Sequence, residues 1–320
     1  MAELKPMPRI GFGLWKIAPE DCKSVVGKAL ETGYRHFDSA CDYGNEKEVG
    51  QALSAGLKDG VCTRQDLWIT SKLWNTYHRP EHVQPALEKA LSDLQTDYLD
   101  LYLIHFPISL KFVPFEKRYP PEWIYDEDSD NPVMVADPVP LKQTWAAMED
   151  LVRKGVVKHI GVCNYNSGLL HDLMAYSEIK PAMLQVEMHP FHTQERLLKL
   201  ARSYGMDVTA YSPLGAMSYV PIDMAEEKET VLNQKLVRDI AQRHGKTAAQ
   251  VVLKWGLQRG TAIIPKTVTP ERMVENISLE DFTLSDEEMS AISGLNLNRR
   301  FNDPGYFTEK AFGTFYPIYD

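Results

Sequence analysis

Four polar side chains close hydrophobic runs in the first third of the chain. Asp38 and Tyr43 lie in the stretch from Gly33 to Glu46, GYRHFDSACDYGNE; Lys72 ends the run ITSK, and His105 ends YLIH. A phenol, an ammonium, a carboxylate and an imidazole are together what is needed to protonate a carbonyl oxygen while a separate donor delivers hydride. Tyrosine ionises near pH ~10, so a tyrosine acid working near neutrality needs a neighbour that favours its phenolate. Lys72 supplies that charge, and Asp38 holds Lys72 protonated through an ion pair. His105 then hydrogen-bonds the substrate oxygen and fixes its orientation. Taken singly, Asp38 or Lys72 reads as half of a structural ion pair, and His105 as a satisfied buried histidine. The four become a site because they fall at the ends of three successive candidate strands.

Short β-branched or apolar runs alternate with amphipathic stretches along the whole chain, which is the pattern of βα units and a parallel sheet. Eight strands are predicted, at 10–15, 34–38, 67–72, 98–105, 159–163, 183–187, 207–211 and 261–265. Between them, Pro80 suits a first helical turn, and Val83, Leu87, Ala90, Leu91 and Leu94 recur at helical spacing. Thr247 with Gln250 makes a capping box, and Gly33 and Gly205 stand where left-handed helix caps belong. Eight strands each followed by a helix predict an α/β fold, a single (β/α)8 TIM barrel over residues 1–320, whose chemistry gathers at the C-terminal strand ends. At or just after those ends stand Lys16, Asp38, Lys72, His105, Asn164, Glu187, Ser212 and Lys266, so every strand delivers a functional side chain to one face.

Two segments fall outside the repeat. Residues 106–140 form a long connection carrying Phe112, Phe115, Tyr119, Trp123 and Tyr125 with an acidic tip from Asp126 to Asp130; residues 296–320 form a tail dense in Phe and Tyr with little helical periodicity. Long ordered loops of this kind are usually lids or binding loops, and both segments are expected over an apolar barrel mouth.

The bounds fit a small-molecule enzyme. The 320 residues, 44% hydrophobic, suffice for one large core. A formal net charge of -9 repels phosphate backbones and anionic lipid, so neither nucleic acid nor membrane is an expected partner. Cys22, Cys41, Cys62 and Cys163 are too sparse for a disulfide framework, and the N-terminus lacks a signal-peptide core, which together imply a cytoplasmic protein. Glu187, His189 and His192 lie close together without completing a metal-ligand signature, so no metal is expected. Gly11 and Gly13 are not followed by the third glycine of a dinucleotide-binding fingerprint.

The string GYRHFDSA from Gly33, with Glu46, Val49 and Gly50, together with GVCN ending at Asn164 and IPKTVTPERMVEN from Ile264 to Asn276, resembles the aldo-keto reductase superfamily over essentially the whole chain. SKLWNTYH from Ser71, HFPIS from His105 and RFNDP from Arg300 resemble its xylose (aldose) reductase group in particular. The resemblance implies Tyr43 as proton donor, Lys72 and Asp38 as its electrostatic partners and His105 as the orienting group. It implies a nicotinamide dinucleotide extended across the barrel mouth, with Asn164 and Gln185 at the carboxamide and Tyr211 stacked on the nicotinamide. Ser212 to Gly215, Leu214 included, would line the pyrophosphate. Lys266, Thr267 and Arg272 would meet the adenosine 2'-phosphate, with Glu275 and Asn276 at the adenine. Two cations and a hydroxyl suit a phosphate monoester, which favours NADPH; Val268, where xylose reductases commonly have asparagine, leaves NADH as the alternative. Trp15, Asp42, His105, Phe106 and Asn302 are the implied substrate residues for an open-chain aldose or aldehyde.

Cys163 stands where much of the family has serine, the N-terminus is short for the usual hairpin across the barrel bottom, and the segment 216–232 is acidic where a cofactor-covering loop belongs. Two other readings of the same residues are a cofactor-binding regulatory subunit with little turnover and a Schiff-base aldolase using Lys72 or Lys266. A monomer or a homodimer fits the resemblance.

Overall fold

In a computed structural model that describes residues 6–319, eight parallel strands follow one another in chain order: β1 Phe12–Gly13, β2 His36–Asp38, β3 Trp68–Leu73, β4 Leu99–Ile104, β5 Val157–Cys163, β6 Met183–Glu187, β7 Asp207–Tyr211 and β8 Ala262–Ile263. β1 and β8 are shorter than their apolar runs, yet they close the sheet on itself. Gly11 N–H donates to Ile263 O at 2.8 Å, Ile263 N–H to Arg9 O at 2.9 Å and Gly13 N–H to Pro265 O at 3.1 Å. The result is the predicted TIM barrel.

Helices α1 Pro19–Thr32, α2 Glu46–Lys58, α3 Pro80–Leu94, α4 Leu141–Arg153, α5 Ser167–Tyr176 and α6 Glu195–Ser203 follow the first six strands singly. The one-helix rule then fails. α7 Lys235–His244 and α8 Ala248–Gln258 both separate β7 from β8, and α9 Pro270–Ile277, α10 Asp286–Ser293 and α11 Pro304–Phe312 follow β8. α11 lies in the tail expected to be irregular. Proline at its first turn and Asp303, which accepts from Tyr306 N–H at 3.3 Å, start it. The cap signals read from sequence are present: Gly33 (φ 106°) and Gly205 (φ 74°) are left-handed, Pro80 begins α3, and Thr247 and Gln250 bond reciprocally.

Strand side chains alternate between two cores. Outward residues such as Phe37, Ile69, Tyr102, Ile104, Ile160 and Leu184 pack against the helices, where α1 buries Val25, Val26, Ala29 and Leu30 and α3 buries Val83, Leu87, Ala90 and Leu94. Inward, Trp68, Leu101, Leu103, Cys163 and Met183 form a separate plug, with Met7 packed against it. The N-terminus, read as short for the usual hairpin across the barrel bottom, falls partly on residues 1–5, outside the described residues. Gly161 faces the same interior. A Cβ there would meet Leu103 Cδ2 at 2.8 Å and crowd Met183 O, so glycine lets β4, β5 and β6 close around the plug. Above the plug the inward positions turn polar.

Candidate active site

Two-residue alternation carries Asp38, Lys72, His105, Gln185 and Tyr211 to the C-terminal rim on the inner face, above the plug, whose Cys163 also reaches the cavity. Tyr43 reaches the same place on a 3-10 turn, Cys41–Tyr43, that Gly44 closes at φ 69°. Asn45 fixes the neighbouring β1 loop: its amide donates to Leu14 O at 3.0 Å and Ile17 O at 2.9 Å, holding Trp15 and Lys16 at the rim.

Lys72 Nζ donates to Asp38 Oδ1 at 2.5 Å, Ser39 O at 2.8 Å and Tyr43 Oη at 3.0 Å. The ammonium and the carboxylate are each 1% exposed. Burial by itself lowers the Lys72 pKa, but Asp38, through charge and hydrogen bond, together with Tyr43 and Cys163 outweighs it and the net shift is upward, so the residue is an ammonium throughout the neutral range. Burial raises the Tyr43 phenol above its ordinary value, and Lys72 opposes that rise through charge and hydrogen bond. Tyr43 therefore rests as a protonated phenol whose conjugate base has a cation waiting 3.0 Å away.

His105 is 8% exposed, and burial together with Lys72 pushes its pKa well down, so it is a neutral imidazole. Its Nδ1 is buried without a partner, which leaves Nε2 as the ring nitrogen on the cavity side. Trp74 edge-on at 5.1 Å and Phe106 stacked at 4.9 Å hold the ring. A cationic imidazole beside Lys72 would cost more; a neutral one still donates a hydrogen bond to a carbonyl oxygen.

The tetrad opens into a cavity of about 890 Å³. Its wall contains Trp15, Asp38, Asp42, Tyr43, His105, Phe106, Asn164, Gln185, Tyr211, Ser212, Leu214, Lys266, Thr267, Arg272, Glu275, Asn276 and Asn302. Every residue expected to serve catalysis, cofactor or substrate therefore lies on one surface except Lys72, which sits behind Asp38 and Tyr43; Glu187, expected at the same rim, does not line the cavity. Burial, with Glu122 nearby, raises the Asp42 carboxyl to about 7. Trp123 from the 106–140 connection and Pro304 and Phe307 from α11 complete an apolar flank, so both irregular segments contribute to the cavity wall.

At the other end, Lys266 and Arg272 have no ion pair among the described residues, and Thr267 Oγ1 accepts from Thr269 N–H at 3.1 Å. The 216–232 segment crosses between the two ends. Lys16 Nζ bonds Ser218 O at 2.6 Å and Ser212 Oγ bonds Tyr219 Oη at 2.6 Å. Two of its acidic groups pair with the tail, Glu229 with Arg299 at 2.8 Å and Asp223 with Lys310, while Glu226 pairs with Lys228 within the segment.

Glu187 serves the tail as well. The carboxylate is fully buried and accepts from His189 Nε2, Phe301 N–H and Asn302 N–H, each at 2.8 Å. Burial alone would raise its pKa; these donors hold it below the usual range. Among the described residues, no group of three or more His, Cys, Asp and Glu is placed to hold a metal ion. Met217, Met224 and Leu232 also line the cavity and carried no sequence signal; Trp123 stood out only through the aromatic density of its segment.

The chain is similar to known proteins along most of its length. The aldo/keto reductase family model matches residues 9–297. The chain is similar to a probable NAD(P)H-dependent D-xylose reductase of Emericella nidulans, 47% identical over 93% of each chain, and to the NADPH-dependent aldose reductase of Saccharomyces cerevisiae, 43% identical over 97% of this chain and 96% of that one. The solved aldose reductase of Schistosoma japonicum superposes with a TM-score of 0.82 at 42% identity, covering 92% of this chain and 91% of that one. By family match and by identity over nearly its full length, the chain belongs to the aldo/keto reductase family.

Proposed function

We propose that the protein is a NAD(P)H-dependent reductase of aldehydes and open-chain, xylose-like aldoses, with NADPH the preferred donor. The observation that carries the reading is a buried Asp38–Lys72 pair bonded to a protonated Tyr43 beside a neutral His105, all facing one cavity. The names of the relatives point the same way.

The walls suit a nicotinamide dinucleotide. Asn164 Nδ2 donates to His105 O at 2.8 Å and keeps a second hydrogen; Gln185 Nε2 donates to Asp38 Oδ2 at 2.7 Å and leaves its Oε1 for another donor. One donor and one acceptor match a carboxamide. Lys266 and Arg272, without carboxylate partners among the described residues, suit a 2'-phosphate. When bound, the cofactor supplies hydride to the carbonyl carbon.

The chain's own residues handle the oxygen. His105 Nε2 and Tyr43 Oη donate to it and orient the carbonyl. As negative charge develops there, Tyr43 gives up its proton, because an alkoxide is a stronger base than a phenolate. Lys72 stabilises the phenolate so formed, and Asp38 keeps Lys72 charged. Asp42 and Asn302 meet substrate hydroxyls while Trp15, Phe106 and Trp123 form the apolar wall and exclude water. A Schiff-base role for Lys72 conflicts with its charged state, since such a nucleophile must be a free amine. One barrel domain, acting as a monomer or homodimer in the cytoplasm, is the accompanying reading.

The test is oxidation of NADPH with xylose, other aldoses and simple aldehydes. Tyr43→Phe should lower kcat by about 10²–10⁴. Wild-type turnover in that variant would sink the mechanism.

A further inference from the structure

The tail does more than wall the cavity, because its penultimate residue reaches the group that faces the carboxamide. Tyr319 Oη donates to Asn164 Oδ1 at 2.8 Å, across 155 residues of sequence. Tyr211 Oη donates to the same oxygen at 2.8 Å, and Asn164 Nδ2 donates to His105 O at 2.8 Å. Asn164 itself is left-handed, φ 63°, a conformation asparagine tolerates better than most residues, and this turn aims its amide at His105. The network fixes which way the amide faces: turned over, Oδ1 would oppose the His105 carbonyl oxygen.

The tail is built to place that phenol. Gly313, φ 58°, reverses the chain after α11. Gly305 lets the returning segment lie against the helix, where a Cβ would stand 2.9 Å from Pro317 Cα. The Arg300 guanidinium covers the Tyr319 ring at 3.6 Å. Burial outweighs the opposing charge of Arg300 and shifts the phenol upward, so it remains a donor at neutral pH.

We infer that Tyr319 is a positioning residue for hydride transfer: its hydroxyl locks the Asn164 amide so that the free Nδ2 hydrogen points at the nicotinamide carboxamide. The inference rests on the cofactor placement proposed above and goes beyond it in giving the chain's C-terminal residues a part in aligning the nicotinamide.

The test compares wild type with Tyr319→Phe, which keeps the ring under Arg300 and removes only the hydroxyl. Isothermal titration is run with NADP+ and with 2'-phospho-ADP-ribose, the same ligand without its nicotinamide. One neutral hydrogen bond corresponds to about two- to tenfold in affinity. NADP+ should weaken by that factor while the fragment binds unchanged, and kcat should fall with the aldehyde KM held. Equal changes for both ligands, or no change in either, overturn the inference. Failure of wild type to bind NADP+ or reduce aldehydes would instead overturn the proposed function, so the two failures are distinguishable.

Discussion

Asp38→Asn removes the charge that keeps Lys72 an ammonium while preserving side-chain size. At 2.5 Å, and with an effective dielectric of about 20, the pair's attraction is roughly 6–7 kcal/mol, most of it offset by desolvating two groups that are each 1% exposed. Removing one partner leaves the other charge buried and uncompensated, at about 3–5 kcal/mol. Lys72 can bear that cost or shed its proton, and burial, no longer opposed by Asp38, drives its pKa down. Either way Tyr43 loses support for its phenolate. The amide also sets a donor against Lys72 or Gln185, both of which now donate to the carboxylate. Expected are a kcat reduced by about 10²–10⁴ and a lower Tm. The diagnostic is the pH profile of NADPH oxidation with a saturating aldehyde. In the wild type the Lys72 charge is constant through neutrality; in the variant, residual activity should rise as pH falls and the amine regains its proton. A variant with kcat within about threefold of wild type, or with residual activity following the wild-type pH profile, would refute the electrostatic argument.

Two further outcomes follow from the same charges. Glu46 is buried, which raises its carboxyl to about 7 from 4.5 despite the bond from Ser71 Oγ at 2.6 Å. Between those values the folded state holds a proton that the unfolded state has lost, so stability falls as pH rises through that window. Glu46→Gln abolishes the titration, and its Tm relative to wild type should climb between pH ~5 and ~8, by the equivalent of at most about 3 kcal/mol; a constant difference across that range would contradict the assignment. Lys266→Met and Arg272→Gln should each raise the KM for NADPH about tenfold or more and leave NADH unaffected, since only NADPH carries the 2'-phosphate. Equal losses with both cofactors in steady-state kinetics would remove these residues from that contact.

The rim of the barrel was legible because buried parallel strands read as nearly continuous apolar runs, and a polar residue ending such a run has few reasons to be there. Asp38, Lys72 and His105 stood out this way, whereas Gln185, in the middle of β6, was marked only by the family resemblance. The strand ends at 10–15 and 261–265 were overdrawn, since only two residues of each form a continuous strand and Trp15 lies beyond the rim. α11 was missed because its buried positions are Pro304, Gly305 and Thr308, which give no apolar periodicity, although Asp303 and Pro304 formed a recognisable start. The links from Tyr319 to Asn164 and from Glu187 to Phe301 were invisible for a different reason. Spacing of three or four residues reports a shared helix face, but nothing local reports a partner more than a hundred residues away.

Asp38 joins the two halves of the chemistry. One carboxylate oxygen takes Lys72 and, through it, controls the acidity of Tyr43; the other takes Gln185, whose remaining acceptor faces the proposed carboxamide position. Asn164 completes the circuit, since it is bonded both to the backbone oxygen of His105 and to Gln185 O through its own N–H at 3.0 Å. Protonation and hydride delivery must meet at adjacent atoms of one carbonyl, within tenths of an ångström of a productive approach. A carboxylate on β2, a lysine on β3, a histidine after β4 and amides on and after β5 and β6 meet that requirement through direct hydrogen bonds. The barrel makes this possible because neighbouring strands carry successive inward residues to the same height, and the plug of Trp68, Leu101, Leu103, Cys163 and Met183 leaves that layer no room to sink.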